Sequence, residues 1–134
     1  MFPSTTRILL VDDMSTERRI SELHLKQLGF TTFFEAPNGA VAYDSLCSQL
    51  EAGKPIELVI CDWNMPVLDG LELLRKIRAS ASFNGLPFLM LTGNEDAPQI
   101  IKALKSGANN YIVKPATAES FDKKLKEIWA KIHP

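Results

Sequence analysis

Five polar residues stand directly behind short apolar runs: the pair Asp12-Asp13, then Asp62, Thr92 and Lys114. Taken singly, each has an ordinary use. Asp12-Asp13 ahead of Ser15 suits a turn or helix cap, Asp62 leads into a proline-containing loop, Thr92 suits a strand end, and Lys114 suits a solvated lysine before a turn proline, Pro115. Taken together they predict chemistry, because unrelated turn residues have no reason to place three carboxylates, a hydroxyl and an ammonium behind four of five neighbouring runs. Clustered carboxylates resist ionising together unless a cation compensates them. Oxygen ligands, few of them from protein, with room for water in the loop, suit Mg²⁺ better than Ca²⁺. A carboxylate beside such an ion, with a hydroxyl and a lysine aimed at the same place, can attack phosphorus and hold the charge on the transferred oxygens. The expected product is an aspartyl phosphate.

The elements that must position these residues follow from hydrophobic periodicity. Ile8 to Val11, Thr31 to Phe34, Leu58 to Cys61, Pro87 to Leu91 and Tyr111 to Val113 read as strands. Five helical patterns alternate with them, marked by Ile20, Leu23 and Leu28; by Ala42, Leu46 and Leu50; by Leu71, Leu74 and Ile77; by Ile100, Ile101 and Leu104; and by Phe121, Leu125, Ile128 and Ile132. Gly29, Gly53, Asn84-Gly85 and Gly107 supply turns between them. Near-continuous apolar strands joined by helical crossovers imply an α/β fold with a parallel sheet covered on both faces. In such open sheets the functional crevice lies beyond the carboxyl ends of the strands, where the polar residues stand.

Composition narrows the function further. With 134 residues, 46% hydrophobic and 23% charged, the chain reads as a single soluble domain over residues 1–134, large enough to hold a core without disulfides or a structural metal. Cys47 and Cys61 form no paired motif and only two histidines, His24 and His133, could join them, which disfavours zinc and suits a reducing compartment. Fifteen Lys plus Arg against sixteen Asp plus Glu leave a net charge of −1, so nucleic acid is not an expected partner. The apolar run near the N-terminus, Ile8 to Val11, is too short for a signal peptide or a membrane span, so no membrane insertion is expected and the cytoplasm is the expected location. Asp62-x-Asn64 begins like an EF-hand loop, but Pro66 takes the next ligand position and the glycine follows too late. No glycine-rich nucleotide loop follows any strand.

The stretches VDDMSTERRI, CDWNMPVLDGLELLRKIRA, MLTGNE and YIVKP resemble the response-regulator receiver family, and closely the stand-alone chemotaxis receivers of the CheY type. The similarity runs from Arg7 to Ile132 with four separated signatures in order. It implies a flavodoxin-like sheet of strand order 2-1-3-4-5, for which this family is itself a type example, so the order rests on the resemblance and not on periodicity. It implies that Asp62 is the phosphoacceptor and that Asp12, Asp13, Asp62 and the backbone carbonyl of Asn64 bind Mg²⁺. Thr92 and Lys114 match the switch hydroxyl and the lysine that contacts the phosphoryl group, Pro115 a proline after a cis peptide bond, and Tyr111 the aromatic whose ring turns inward on activation. Asn64 and Asn94 flank the expected path of the hydrolytic water and so bear on phosphate lifetime; Tyr111 and Lys124 are the expected partner surface. The implied partners are a sensor histidine kinase, CheA-like or other, and a downstream protein such as a flagellar switch component. Such a receiver catalyses only its own phosphorylation and dephosphorylation.

This chain departs from the pattern at Gly93 and Asn94, where chemotaxis members more often carry alanine and an acidic residue. It departs again at Ala116, where phenylalanine is common, and in extra residues around Glu51 to Pro55. These bear on partner and phosphate lifetime, not on the phosphorylation chemistry. Two other readings compete. Haloacid-dehalogenase-type phosphatases also use a strand-end aspartate with Mg²⁺, but their nucleophile is followed two residues on by a second aspartate, where Asn64 cannot act as an acid, and their acidic pair comes last in the chain. A receiver cut from a longer regulator or hybrid kinase is the other; the absence of a linker favours a stand-alone protein without an output domain.

Overall fold

The computed structural model describes residues 1–93 and 96–134. Its ten elements alternate strictly: β1 (Arg7–Val11), α1 (Ser15–Gln27), β2 (Thr32–Ala36), α2 (Gly39–Glu51), β3 (Leu58–Asp62), α3 (Gly70–Ala79), β4 (Phe88–Thr92), α4 (Ala97–Lys105), β5 (Asn110–Val113) and α5 (Ala118–Ile132). The strands form one parallel sheet in the order β2-β1-β3-β4-β5, the flavodoxin-like arrangement.

Strand alternation explains why the runs are apolar throughout. Along β1, Leu9 and Val11 enter one core while Ile8 and Leu10 enter the other; β3 divides Val59 and Cys61 from Leu58 and Ile60, and β4 divides Phe88 and Met90 from Leu89 and Leu91. The first core is closed by Ala42 and Leu46 of α2, by Leu71, Leu73, Leu74 and Ile77 of α3, and by Ala103 of α4. The second is closed by Leu25 of α1 and by Phe121, Leu125 and Ile128 of α5.

Helix starts are secured locally. The Asn38 side chain accepts from the Val41 N–H, and reciprocal capping boxes join Asp69 to Glu72 and Thr117 to Ser120. Gly29, Gly53 and Gly107 all take positive φ at turns, which the missing Cβ permits.

Two expected helix faces are corrected. In α1 the inward side is built on Leu25, whereas Ile20 and Leu23 are 47% and 53% exposed. Leu23 stands about 200° around the helix from Leu25, so the two cannot share a face; Leu28, three residues on from Leu25, does stay on the inward side. In α4, Ala103 is buried while Ile101 and Leu104 are exposed. Leu50 and Ile132, at the distal ends of their stripes, are also exposed. The strands begin or end within one or two residues of the expected limits, and Asp62 and Thr92 prove to be the last residues of β3 and β4. Among the described residues no helix is long and apolar enough to cross a membrane.

Candidate functional site

Register brings the polar strand ends into one place. Val11 pairs with Cys61, so Asp12 and Asp62 lie level on neighbouring strands; Asp62 pairs with Leu91, and Thr92 with Val113. Beyond the ladders, the Trp63 N–H donates to the Leu91 carbonyl at 2.9 Å and the Lys114 N–H to the Thr92 carbonyl at 2.8 Å, which carries the sheet spacing one residue into the loops. The Asp12 N–H donates to the Ala36 carbonyl at 3.1 Å and fixes the start of the first loop to β2.

Asp12 and Asp62 are buried, at 5% and 6% exposure, while Asp13 faces solvent. One carboxylate oxygen from each of the three lies within 4.8 Å of the others. Lys114 reaches into this group, its Nζ 2.9 Å from Asp62 Oδ1 and 3.8 Å from Asp12 Oδ2. Asp12 Oδ1 also accepts from the Met14 N–H at 3.0 Å, so the turn role expected of it is real and coexists with its place in the cluster. The peptide bond between Lys114 and Pro115 is cis.

Burial sets the electrostatics. It pushes the Asp12 and Asp62 carboxyls above the usual carboxylate range, and the hydrogen bonds from Met14 to Asp12 and from Lys114 to Asp62 only partly offset it. Burial alone would depress Lys114, but its bond to Asp62 and the attraction of Asp62, Asp12 and Glu17 outweigh that, and its ammonium is held more firmly than usual. The neighbouring Cys61 thiol is wholly buried and pushed well up, first by burial and then by the adjacent carboxylates, so it is inert as a nucleophile. Three hard oxygen donors, two of them costly to ionise where they stand, fit a divalent cation. The buried aspartate cluster could hold one.

Thr92 is buried at the rim, on the strand beside Asp62. Asn64 is an exposed loop residue two positions beyond Asp62. Tyr111 lies further down β5, half-buried against the first core, with Lys124 Nζ 4.4 Å above its ring centre. It does not join the carboxylates. Asn94 lies outside the described residues.

Three residues shape the site that sequence reasoning did not single out. Gly70 opens α3 where a Cβ would collide with the Asp62 carbonyl oxygen, and its N–H donates to the Trp63 carbonyl at 2.8 Å; no side chain fits there. Its signal was legible in the Asp69-Gly70-Leu71-Glu72 start of a helix. Val67 takes φ 69 in the loop between Asp62 and α3, a strained conformation for a β-branched residue, and nothing in the sequence announces it. Arg18 donates through Nη1 to the Asp12 carbonyl and through Nε to Glu35. It stood among the ordinary charges of a helix face.

A doubly wound sheet of order 2-1-3-4-5 with an acidic trio and a lysine at its carboxyl rim has the build of a signalling receiver. Residues 8–126 match the family model described as response regulator receiver domain, and the chain belongs to that family, whose work is two-component signalling. It is 40% identical over 122 residues to a chemotaxis protein CheY homolog of Campylobacter jejuni, covering 91% of both chains. It is 39% identical to chemotaxis protein CheY1 of Helicobacter pylori, covering 91% of this chain and 95% of that one. Among solved structures, the chemotaxis response regulator CheY4 of Vibrio cholerae superposes with a TM-score of 0.77 at 27% identity, covering 92% of this chain and 98% of that one. A response regulator receiver domain protein from Clostridium thermocellum gives 0.78 at 28% identity, covering 96% and 97%.

Proposed function

We propose that this receiver takes a phosphoryl group from a histidine kinase onto Asp62 in the presence of Mg²⁺ and signals by docking to a partner protein, within chemotaxis or motility. The observation that carries the reading is Lys114 Nζ at 2.9 Å from Asp62, inside a trio of carboxylates gathered at one rim. An Asp62 carboxylate oxygen attacks phosphorus, the bond from phosphorus to the donor's imidazole nitrogen breaks, and the imidazole leaves with that electron pair. Lys114, kept charged by its acidic neighbours, holds the anionic oxygens, and the Thr92 hydroxyl donates to one of them. Asp12, Asp13, Asp62 and the Asn64 carbonyl would hold Mg²⁺, which when bound supplies charge neutralisation for the transferred group. In this reading the phosphoryl group ends on the protein's own Asp62, which makes the protein a switch and not an enzyme with external turnover.

Output in this reading runs through Tyr111 and Lys124. Drawing Thr92 toward the phosphoryl group frees space into which the Tyr111 ring turns, leaving its place under the Lys124 ammonium and changing the surface a partner meets. Kinship to proteins named for chemotaxis supports a flagellar target, which the chain would meet by docking in the cytoplasm. Asn64 and Asn94 tune the lifetime of the acyl phosphate by access and orientation of water.

The test is incubation with acetyl phosphate or a phosphorylated kinase, with and without chelator, followed by mapping of the label. Wild type is expected to be labelled on Asp62 only with Mg²⁺, and Asp62→Asn to lose the label while staying folded. Equal labelling of Asp62→Asn rejects the assignment.

A further inference from the structure

We propose that Arg18 is a positioning residue for the divalent cation at the carboxylate rim, acting through the main chain of Asp12; this rests on the reading that Asp12, Asp13 and Asp62 hold Mg²⁺. Arg18 stands in the first turn of α1, and its side chain is only 15% exposed although it carries a full charge. Its Nη1 donates to the Asp12 carbonyl oxygen at 2.5 Å and its Nε to Glu35 Oε1 at 2.9 Å. Glu35 directly precedes Ala36, whose carbonyl accepts the Asp12 N–H at 3.1 Å. The peptide groups on both sides of the Asp12 Cα are therefore gripped, the N–H by β2 and the carbonyl by an arginine clamped to β2. One carboxylate oxygen of Asp12 is in turn committed to the Met14 N–H.

That closed ring of β1, α1 and β2 answers a specific strain. Three carboxylates within 4.8 Å of one another repel, and Asp13, the exposed member, follows the gripped carbonyl by one bond. An Asp12-Asp13 turn free to move would relax outward in the metal-free state, and reordering it would then weaken cation binding. Arg18 blocks the relaxation without touching a ligand carboxylate. Among the described residues, the ion pairs to Asp12 and Asp62 come from Lys114, whereas the ion pair of Arg18 is with Glu35. The geometry needs a guanidinium: two nitrogens held apart by the planar carbon reach acceptors on two elements, which the single nitrogen of lysine cannot do.

The experiment is Mg²⁺ titration of full-length wild type, Arg18→Ala, Arg18→Lys and Glu35→Gln by calorimetry and by Trp63 fluorescence, with urea unfolding of each in chelator. Arg18→Ala and Arg18→Lys are expected to bind Mg²⁺ about 10-fold more weakly, the low end for loss of an outer-shell partner. Glu35→Gln retains an oxygen that can accept from Nε, and its affinity is expected within about 2-fold of wild type. A purely structural Arg18 would lower the urea midpoint and leave Mg²⁺ affinity alone, and that result in Arg18→Ala, or in Arg18→Lys if alanine does not fold, overturns the proposal. No saturable Mg²⁺ binding by wild type in either measurement overturns the metal reading, and this inference with it; binding by wild type with equal affinity in the variants overturns the Arg18 role alone.

Discussion

The two edges of the sheet treat charge in opposite ways. At the carboxyl edge, buried Asp12 and Asp62 face a third carboxylate and share one lysine. At the amino edge, half-buried Arg78 has no carboxylate within ion-pair reach among the described residues, yet its nitrogens are well used. Nε donates to the Gly107 carbonyl at 3.0 Å, Nη1 to the carbonyls of Asn84 and Leu86, and Nη2 to Asn109 Oδ1 at 3.0 Å. Asn109 Oδ1 also accepts the Phe88 N–H, so this cation ties the loops before β4 and β5 together. Arg7 behaves likewise, donating to the Lys54 carbonyl and Gln49 and lying over the Phe34 ring. It anchors the extra residues around Glu51 to Pro55 at the edge away from the carboxylates, which explains how they leave the site intact. One edge is satisfied by dipoles and is finished. The other is short of positive charge and could take a cation, a division of labour expected where strain is kept at a functional site.

Substitutions at the two edges should therefore part ways. Arg78→Ala removes the donors to four acceptors, and we expect a loss of about 2–4 kcal/mol in urea unfolding, since each buried acceptor left unpaired costs about 1–3 kcal/mol. Its Mg²⁺ affinity should equal that of wild type; a weakened affinity would show that the edges are coupled. Asp12→Asn should do the reverse. Two like charges about 5 Å apart repel by about 3 kcal/mol at an effective dielectric of about 20, partly offset by attraction to Lys114, so the metal-free variant should gain about 1–2 kcal/mol and bind Mg²⁺ poorly. Destabilisation of metal-free Asp12→Asn would mean that Lys114 already neutralises the cluster.

The smallest effect expected is on pH dependence. Asp12 and Asp62 have folded-state values above those of the unfolded chain, so the folded state holds their protons more tightly. Their contribution to stability is fully present below the unfolded carboxyl range and is lost as pH rises through the raised folded values. In chelator, the urea midpoint of wild type should therefore climb as pH falls from neutrality toward the ordinary carboxyl range, and climb less in Asp12→Asn. Equal slopes would remove the electrostatic basis of the comparison. Lys114, whose folded value is also raised, gives stability that persists through neutrality and fades only in alkali.

Much of this was legible in the amino-acid sequence. The alternation of apolar runs and helical stripes located all ten elements, and their ends pointed to Asp12, Asp13, Asp62, Thr92 and Lys114, because a parallel sheet leaves only the residues just past its strands free of packing. α3 read correctly, and α5 did so at Phe121, Leu125 and Ile128 though not at Ile132, because both bury broad stripes, whereas α1 and α4 misled. Each buries a single residue, Leu25 in one and the small Ala103 in the other, so their remaining apolar residues carry no sign of which way they face.

The types of residue at the rim, and hence the chemistry available, belong to the one-dimensional chain. Its period places each strand end without knowledge of any distant contact. What tertiary structure alone decided is how those groups meet: Lys114 against Asp62 and not beside it in sequence, Arg18 on a main-chain carbonyl instead of a carboxylate, and Gly70 under the Asp62 carbonyl where no side chain fits. Those are distances between atoms on different elements. They depend on strand register and helix rotation, which local periodicity leaves open and which only the joint packing of both cores settles.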